Sequence, residues 1–394
     1  MSKSAFIFLV FLFFITHSIW GQIYSVGHIQ QNFTDPARSN RSIPVEIYYP
    51  ANTSGDNVPI SSGSFPVLVF GHGFLMTYDA YNVVWNLVVQ EGFIMVFPKT
   101  EGSISPSHTD FGMDLAFVVG AMKSEGLNAS SPFYNSISQQ SAVMGHSMGG
   151  GSAFLAVQYD PSITALATLA AAVTNPSSVT AATNITIPSL TISGANDCIA
   201  PPADHQLPMY NALNSGCKSY VSILGASHCQ FAGTSFTCSI GEATCSPGPA
   251  ISPNQQQVTA AVYLLNFLKF YLKDDCTAGE EFQTMISNAI SIDGEQNCAL
   301  SCTTTGQTIH LVNPKITIQP NPINLNFKLK SERELKNASC VILNSVGQRV
   351  KLISGIQGNT VELSKGDLNP GLYFIQIQEN NHILGMEKVI FLNE

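Results

Sequence analysis

Six short apolar runs set the architecture. "FPVLVFGHG" (65–73), "GFIMVFPKT" (92–100), "QSAVMGHS" (140–147), "ALATLAAAV" (165–173), "IPSLTISG" (187–194) and "SYVSILGAS" (219–227) are near-continuous rather than alternating. A strand with one wet face alternates apolar and polar residues, whereas one that is apolar throughout is buried on both faces, as in a parallel sheet covered by helices. Between these runs, residues 78–90, 111–125, 148–159, 205–215 and 256–272 carry apolar residues at helical spacing. The resulting β-α-β-α order predicts an α/β fold over residues 22–302, doubly wound about a mostly parallel sheet.

The pattern changes near residue 303. "TTTGQTIHLVNPK" is polar and turn-rich, and residues 303–314 read as a linker. Beyond it, "NFKLKS", "VILNSVGQRV", "TVELS", "GLYFIQIQ" and "EKVIFL" alternate and are separated by Gly, Asn or Pro turns, so residues 315–394 are expected to form a small all-β sandwich. At the other end, Lys3 precedes an apolar stretch from Ala5 to Ile15, with Gly21 as a cleavage position. That is the form of a secretory signal peptide over residues 1–21, and the stretch is too short for the roughly 20 residues of a membrane-spanning helix. An exported, soluble mature protein is expected.

Charged residues make up only 11% of the chain and the formal net charge is −9, leaving no basic stripe to neutralise phosphates, so no nucleic-acid partner is expected. Eight of the nine cysteines (198, 217, 229, 238, 245, 276, 298, 302) fall in one stretch, which in an exported chain reads as up to four disulfides. No paired C-x-x-C and no histidine at finger spacing accompany them, and no metal is expected. Cys340 stands apart and reads as a small buried hydrophobe.

Acyl transfer of the serine type requires a nucleophile at a strand end, a histidine base, a carboxylate to orient it, and donors for the oxyanion. Gly145-His146-Ser147-Met148-Gly149 follows a buried strand and opens a helix, which makes Ser147 the candidate nucleophile. Small residues two positions to either side relieve crowding at such a turn, and Gly150 and Gly151 imply close packing of the helix under the sheet. Asp197, in "LTISGANDCIAPP", lies just past a later buried strand; His228, in "VSILGASHCQF", lies just past the next. Both occur in the order acid then base that follows such a serine. His72, His108, His146 and His205 are less suitably placed. The backbone N–H groups of Met148, after the nucleophile, and of Phe74, after the glycine turn "VFGHG", are the candidate oxyanion donors. No cofactor is needed for this chemistry.

"GHSMGGGSAF", "GHGF", "SGANDCIAPP" and "GASH" together resemble the dienelactone-hydrolase and cutinase-like branch of the α/β-hydrolase superfamily, which includes bacterial polyester (PET) hydrolases and, more distantly, chlorophyllases. The resemblance spans roughly residues 60–275. It implies an α/β-hydrolase sheet, hydrolysis of carboxylic esters through an acyl-enzyme on Ser147 without cofactor, and an acyl site lined by Phe74. The loop holding Val173 and Thr174 stands where polyester hydrolases carry a stacking tryptophan; here it reads "AAAVTNPSS", which weighs against aromatic polyesters. Those enzymes also bridge the acid and histidine loops by a disulfide, which leaves Cys198–Cys229 and Cys198–Cys217 as alternatives. The stretch 231–253 has no counterpart and is expected to be a disulfide-tied flap.

"IQPNPINLNFKL", "VILNSVGQRV" and "LNPGLYFIQIQ" resemble the type IX secretion sorting domain of Bacteroidota, which implies passage across the outer membrane by that machinery, followed by release or attachment at the surface. The leading expectation is thus a monomeric secreted serine esterase acting on short-chain or lipid-like carboxylic esters, small-molecule or polymeric. A polyester hydrolase is the alternative within the enzyme class. A surface-displayed, non-catalytic binding protein on a hydrolase fold is the alternative from another class, opposed by the intact Ser147, Asp197 and His228.

Overall fold

A computed structural model describes residues 24–233, 235–300, 316–344, 349–379 and 382–392. The expected signal peptide, the linker and Cys302 lie outside the described residues.

The strands of the first sheet are β1 (Ser25–Asp35), β2 (Arg41–Ala51), β3 (Gly55–Asp56), β4 (Phe65–Gly71), β5 (Ile94–Pro98), β6 (Ile137–His146), β7 (Ala165–Leu169), β8 (Ser189–Gly194), β9 (Lys218–Ile223) and β10 (Ile292–Gln296). Their spatial order is β3-β1-β2-β5-β4-β6-β7-β8-β9-β10. From β5 through β9 every neighbouring pair is parallel, while β2 joins β5 and β10 joins β9 in antiparallel fashion. The six apolar runs are the six central parallel strands.

Burial on both faces is literal in β4. Val67 and Val69 enter one core layer, with Phe111 and Leu115 of helix α2 (His108–Glu125) and Phe154 of α3 (Met148–Ala156). Leu68 and Phe70 enter the opposite layer, with Val84 and Val88 of α1 (Asn82–Gln90) and Leu264 and Phe267 of α7 (Pro253–Lys273). The short α4 (Ser178–Ala182) and α5 (Gln206–Ala212) join the first layer, and α8 (Cys276–Asn288) joins the second. Four of these helices begin on side-chain caps, α4 on Ser177, which accepts from Thr180 N. Ser107 accepts from Asp110 N, Asp275 from Ala278 N, and Ser252 with Gln255 forms a capping box ahead of Pro253.

Strands β1 and β2 are announced by no apolar run. Strand β1 is polar along much of its length, and β2 carries the buried Glu46, whose carboxylate accepts from Lys99 Nζ at 2.6 Å and contacts His28 Nε2 at 2.7 Å. This hairpin is fastened to α2 by the fully buried Asp114, which accepts from Arg38 Nη2 at 2.6 Å and Arg41 Nη2 at 2.7 Å.

The C-terminal residues form a separate antiparallel unit of β11 (Ile316–Gln319), β12 (Asn326–Asn344), β13 (Arg349–Ser364), β14 (Gly371–Glu379) and β15 (His382–Phe391). Its five strands form one hydrogen-bonded sheet. The long β12 is interrupted by register shifts; its first part pairs with β11 and its last part with β14, with β13 alongside both. Phe327, Leu329, Ile342, Ile375 and Val389 fill the core between them. Cys340 is free and buried in this core, and burial pushes its thiol up to about 12, a setting in which it stays a protonated apolar side chain.

Candidate active site

Because β4, β6, β8 and β9 run in the same direction, the segments that leave their carboxyl ends gather along one edge of the sheet. That edge is where ligands bind in open α/β sheets. Ser147 leaves β6, Asp197 leaves β8, His228 leaves β9, and the 72–74 loop leaves β4.

Ser147 sits at φ 54°, ψ −120°, a conformation that a residue bearing a Cβ adopts only when its surroundings enforce it. The enforcement is visible on both sides. Its N–H donates to Leu169 O at 3.1 Å, and its carbonyl accepts from Gly151 N at 3.0 Å and Ala172 N at 2.9 Å. The glycines around it lie close against both backbone and side-chain atoms. A Cβ on Gly145 would lie 2.6 Å from Gly150 N; one on Gly150 would lie 2.8 Å from Ala171 Cβ; one on Gly151 would lie 2.6 Å from Thr174 Cγ2.

The structure brings together Ser147, His228 and Asp197. His228 Nε2 lies 2.8 Å from Ser147 Oγ, and His228 Nδ1 lies 2.7 Å from Asp197 Oδ2. An ionised carboxylate can only accept, so Nδ1 carries the proton and Nε2 is left to accept from the serine hydroxyl. Asp197 is oriented through its other oxygen, which accepts from Ile199 N at 2.9 Å and Ala200 N at 2.8 Å. Asp197 and His228 are buried.

Of the two expected oxyanion donors, Met148 is buried at the first position of α3, where helix N–H groups have no partner within the helix. Phe74 follows the β4 turn and is 42% exposed, an aromatic residue at the surface just past the carboxyl end of β4. The two segments are in direct contact, since a Cβ on Gly149 would lie 2.6 Å from His72 O. Val173 and Thr174 follow Ala172, which is bonded to Ser147. The Val173 N–H donates to His205 Nδ1 at 2.9 Å, and Thr174 is buried. His108 accepts from Asn175 N at 3.2 Å on the same loop. Two of the four histidines passed over as bases, His108 and His205, therefore hold this loop. Among the described residues no cluster suited to a metal ion is present.

Two buried glutamines escaped sequence reasoning, as lone amides give no signal until the loops are placed. Gln256 of α7 clamps the residue before the histidine, accepting from Ser227 N at 2.9 Å and donating to Ser227 O at 2.7 Å. Gln206 donates to Ala171 O at 2.6 Å and Ala200 O at 3.1 Å, tying the serine's neighbour loop to the acid loop.

The disulfides correct both pairings left open above. Cys198 bonds to Cys245, Cys229 to Cys238, and Cys217 to Cys298; Cys276 is also disulfide-bonded. The acid and histidine loops are thus not bridged to one another. Each is bridged, through the residue directly after Asp197 or His228, to the 231–253 stretch, which holds α6 (Phe236–Glu242). Cys229 faces that stretch because its N–H donates to Glu242 Oε1 at 3.0 Å, and Asn196 Nδ2 donates to Gly248 O at 2.8 Å. Replacing Cys198 and Cys245 together by serine is expected to lower stability by about 2–4 kcal/mol in urea unfolding. It is also expected to lower kcat through the loosened Asp197; unchanged kcat would mean that the 231–253 stretch does not support the acid loop.

His146, beside the serine, is fully buried, and burial, helped by the neighbouring His228, holds its imidazole down at about 3. The unfolded chain takes up a proton near 6.5 that the folded chain refuses until about 3. This contribution to stability is therefore present above pH 6.5 and is lost as pH falls from there toward 3. In imidazole NMR spectra one histidine should remain untitrated down to pH 4, and a His146 resonance moving near pH 6.5 would contradict this.

An α/β sheet with a serine on a strained strand-to-helix turn, followed in chain order by an aspartate and a histidine in hydrogen-bond reach, defines the α/β-hydrolase superfamily. Residues 42–246 match the PET hydrolase-like family model, and the chain belongs to that family. Residues 317–391 match the secretion system C-terminal sorting domain, which marks the chain for export by the type IX route to the cell surface or beyond. The chain is similar to a bis(hydroxyethyl) terephthalate hydrolase of Streptomyces coelicolor, with 27% identity over 60% of this chain and 64% of that protein. It is also similar to cutinase 1 of Thermobifida cellulosilytica (38% over 23% and 34%) and to the chloroplastic chlorophyllase-1 of Citrus unshiu (31% over 35% and 40%). It therefore spans less than two thirds of the length of each of these relatives.

Proposed function

We propose that the chain is a secreted carboxylic ester hydrolase that works through an acyl-enzyme on Ser147. The observation that carries the reading is the series Ser147 Oγ, His228, Asp197, with links of 2.8 and 2.7 Å, on the carboxyl edge of the sheet. His228 Nε2 takes the hydroxyl proton as Ser147 Oγ attacks the ester carbonyl. The oxyanion forms toward the Phe74 and Met148 N–H groups, and the imidazolium is stabilised by Asp197. Collapse of this intermediate expels the alcohol, which takes the proton from His228. Water, deprotonated by His228, then attacks the acyl-enzyme and releases the acid. The chemistry resides in residues 22–302, with 303–314 as linker and 315–394 as the sorting module.

The relatives' names all concern esters: a terephthalate diester, cutin and chlorophyll. Short-chain or lipid-like carboxylic esters are the proposed substrates, because the loop of Val173 and Thr174 carries no tryptophan to form a stacking wall. The family match favours a second reading, a polyester hydrolase. A fluorophosphonate probe should label the wild type on Ser147, mapped by peptide mass. A wild type that fails to label would sink the esterase reading in favour of a binding protein, and Ser147→Ala labelling equally would overturn Ser147 as the nucleophile. Comparing a p-nitrophenyl ester chain-length series with release from PET film separates the two enzyme readings, and strong film release would favour polyester.

A further inference from the structure

The geometry points to Tyr81 and His146 as a hydrogen-bonded brace that holds the oxyanion loop and the histidine loop in one fixed relation, both acting as positioning residues. The inference rests on the proposed acyl-enzyme reading and deepens it. Neither residue reaches the reacting atoms through its side chain; each acts through backbone groups of residues that do.

The brace runs without a break. The N–H of Gly73, the residue before Phe74, donates to Tyr81 Oη at 2.8 Å. Tyr81 Oη lies 3.1 Å from His146 Nδ1, and His146 Nε2 lies 3.0 Å from the carbonyl oxygen of His228. A carbonyl can only accept, so the His146 proton is on Nε2 and Nδ1 is an acceptor. Tyr81 Oη therefore accepts from Gly73 and donates to His146, and every hydrogen has one destination. Met76 Sδ, 3.4 Å from the same hydroxyl, is the competing acceptor, but a thioether is a weak one.

Three observations argue that this is more than core polar bookkeeping. Tyr81 and His146 are both fully buried, so water does not replace a missing link. Burial keeps the tyrosine hydroxyl protonated and the imidazole neutral, the states the brace requires. And the loop rests directly on the brace, because a Cβ on Gly73 would lie 3.0 Å from His146 Nδ1 and 3.3 Å from Tyr81 Oη. The His146 ring also packs against that of His228, with centroids 5.0 Å apart. Phe74 and His228 leave different strands, β4 and β9, and serine chemistry needs the donor of one and the base of the other aligned on the same carbonyl. Displacements of about 1 Å in such an arrangement cost on the order of 10²-fold in rate.

The test uses the full chain in four forms besides wild type: Tyr81→Phe, His146→Leu, the double variant, and Tyr263→Phe. The last removes a buried hydroxyl that donates to Met285 O at 3.3 Å, away from the site, and controls for the loss of a tyrosine hydroxyl as such. Steady-state hydrolysis of p-nitrophenyl butyrate, the rate of fluorophosphonate labelling of Ser147 and the melting temperature are measured for each. Tyr81→Phe should lower kcat and the labelling rate by about 10- to 100-fold with KM within about twofold, while Tyr263→Phe changes neither. The double variant should be no slower than the slower single variant, because either substitution already breaks the brace. If the wild type labels and Tyr81→Phe labels and turns over at the same rate, the brace is wrong. Multiplying effects in the double variant would likewise overturn it. A wild type that does not label overturns the acyl-enzyme reading itself, a distinct outcome. Should His146→Leu fail to fold, Tyr81→Phe with its control decides the matter alone.

Discussion

Ser147→Ala is expected to lower kcat for a p-nitrophenyl ester by about 10⁶, because nucleophile and base act as a unit and losing either forfeits the acyl-enzyme route. The same magnitude is expected for His228→Ala, and the double variant should be no slower than either. Asp197→Asn should cost about 10⁴, by a different cause. An amide at that position can donate toward Nδ1, which favours the wrong imidazole tautomer and leaves Nε2 protonated and unable to accept from Ser147. The two proposed oxyanion donors remain in all these variants, so a residual rate of about 10³–10⁴ over water is expected to persist. Kinetics of purified variants, with activity corrected for traces of wild type by probe titration, supply the check. A Ser147→Ala protein retaining more than a few per cent of kcat would falsify the acyl-enzyme mechanism. A large Asp197→Asn defect appearing only in KM would mean that the aspartate acts on binding.

Much of this site is legible in the sequence, for a physical reason. Parallel strands are buried on both faces, so they appear as apolar runs, and a serine turn between such a run and a helix needs glycines that stand out in any sequence. Asp197 and His228 are then located by chain order, each just past a strand end. What stays hidden depends on side chains meeting across the fold. Strand β2 is obscured by Glu46, a charge tolerated in the interior only because His28 of the neighbouring β1 and Lys99, just past the neighbouring β5, come to it. Helix α8, "CTAGEEFQTMISN", buries only Ala278, Gly279 and Phe282, too few for a readable stripe. The cysteine pairing follows the 231–253 stretch, which has no pattern of its own; the resemblance to polyester hydrolases left Cys198–Cys229 and Cys198–Cys217 as alternatives, whereas Cys198 and Cys229 each bond into that stretch. His146 shows the same limit from the other side. As one histidine beside a serine it is a weak rival base, and only the carbonyl of His228 and the hydroxyl of Tyr81 give it a role.

Gly149→Ala should be among the most destabilising single substitutions in the chain, at about 4 kcal/mol or more, beyond the usual range for point variants. The added Cβ would overlap the carbonyl of Gly71 and lie 2.6 Å from His72 O. These are backbone atoms at the end of β4, so no rotamer change relieves the contact; either the sheet or α3 must move. Typical overpacking costs about 1–3 kcal/mol when side chains can yield, and here none can. A domain with a total stability of about 5–15 kcal/mol would lose a large share of it. Gly102→Ala is the matched control, since a Cβ there meets nothing within 4 Å, and it should fall within about 0.5 kcal/mol of wild type in urea unfolding. The place of the strain also matters for function. Gly71 leads into the oxyanion loop and Gly149 is two residues after Ser147, so any relaxation that admits the methyl group separates Phe74 from Met148. Folded Gly149→Ala protein recovered at low temperature should therefore show kcat depressed well beyond its unfolded fraction. Equal specific activity per folded molecule would mean that the two donors tolerate the displacement, and the close approach of β4 to α3 would then be a packing requirement alone.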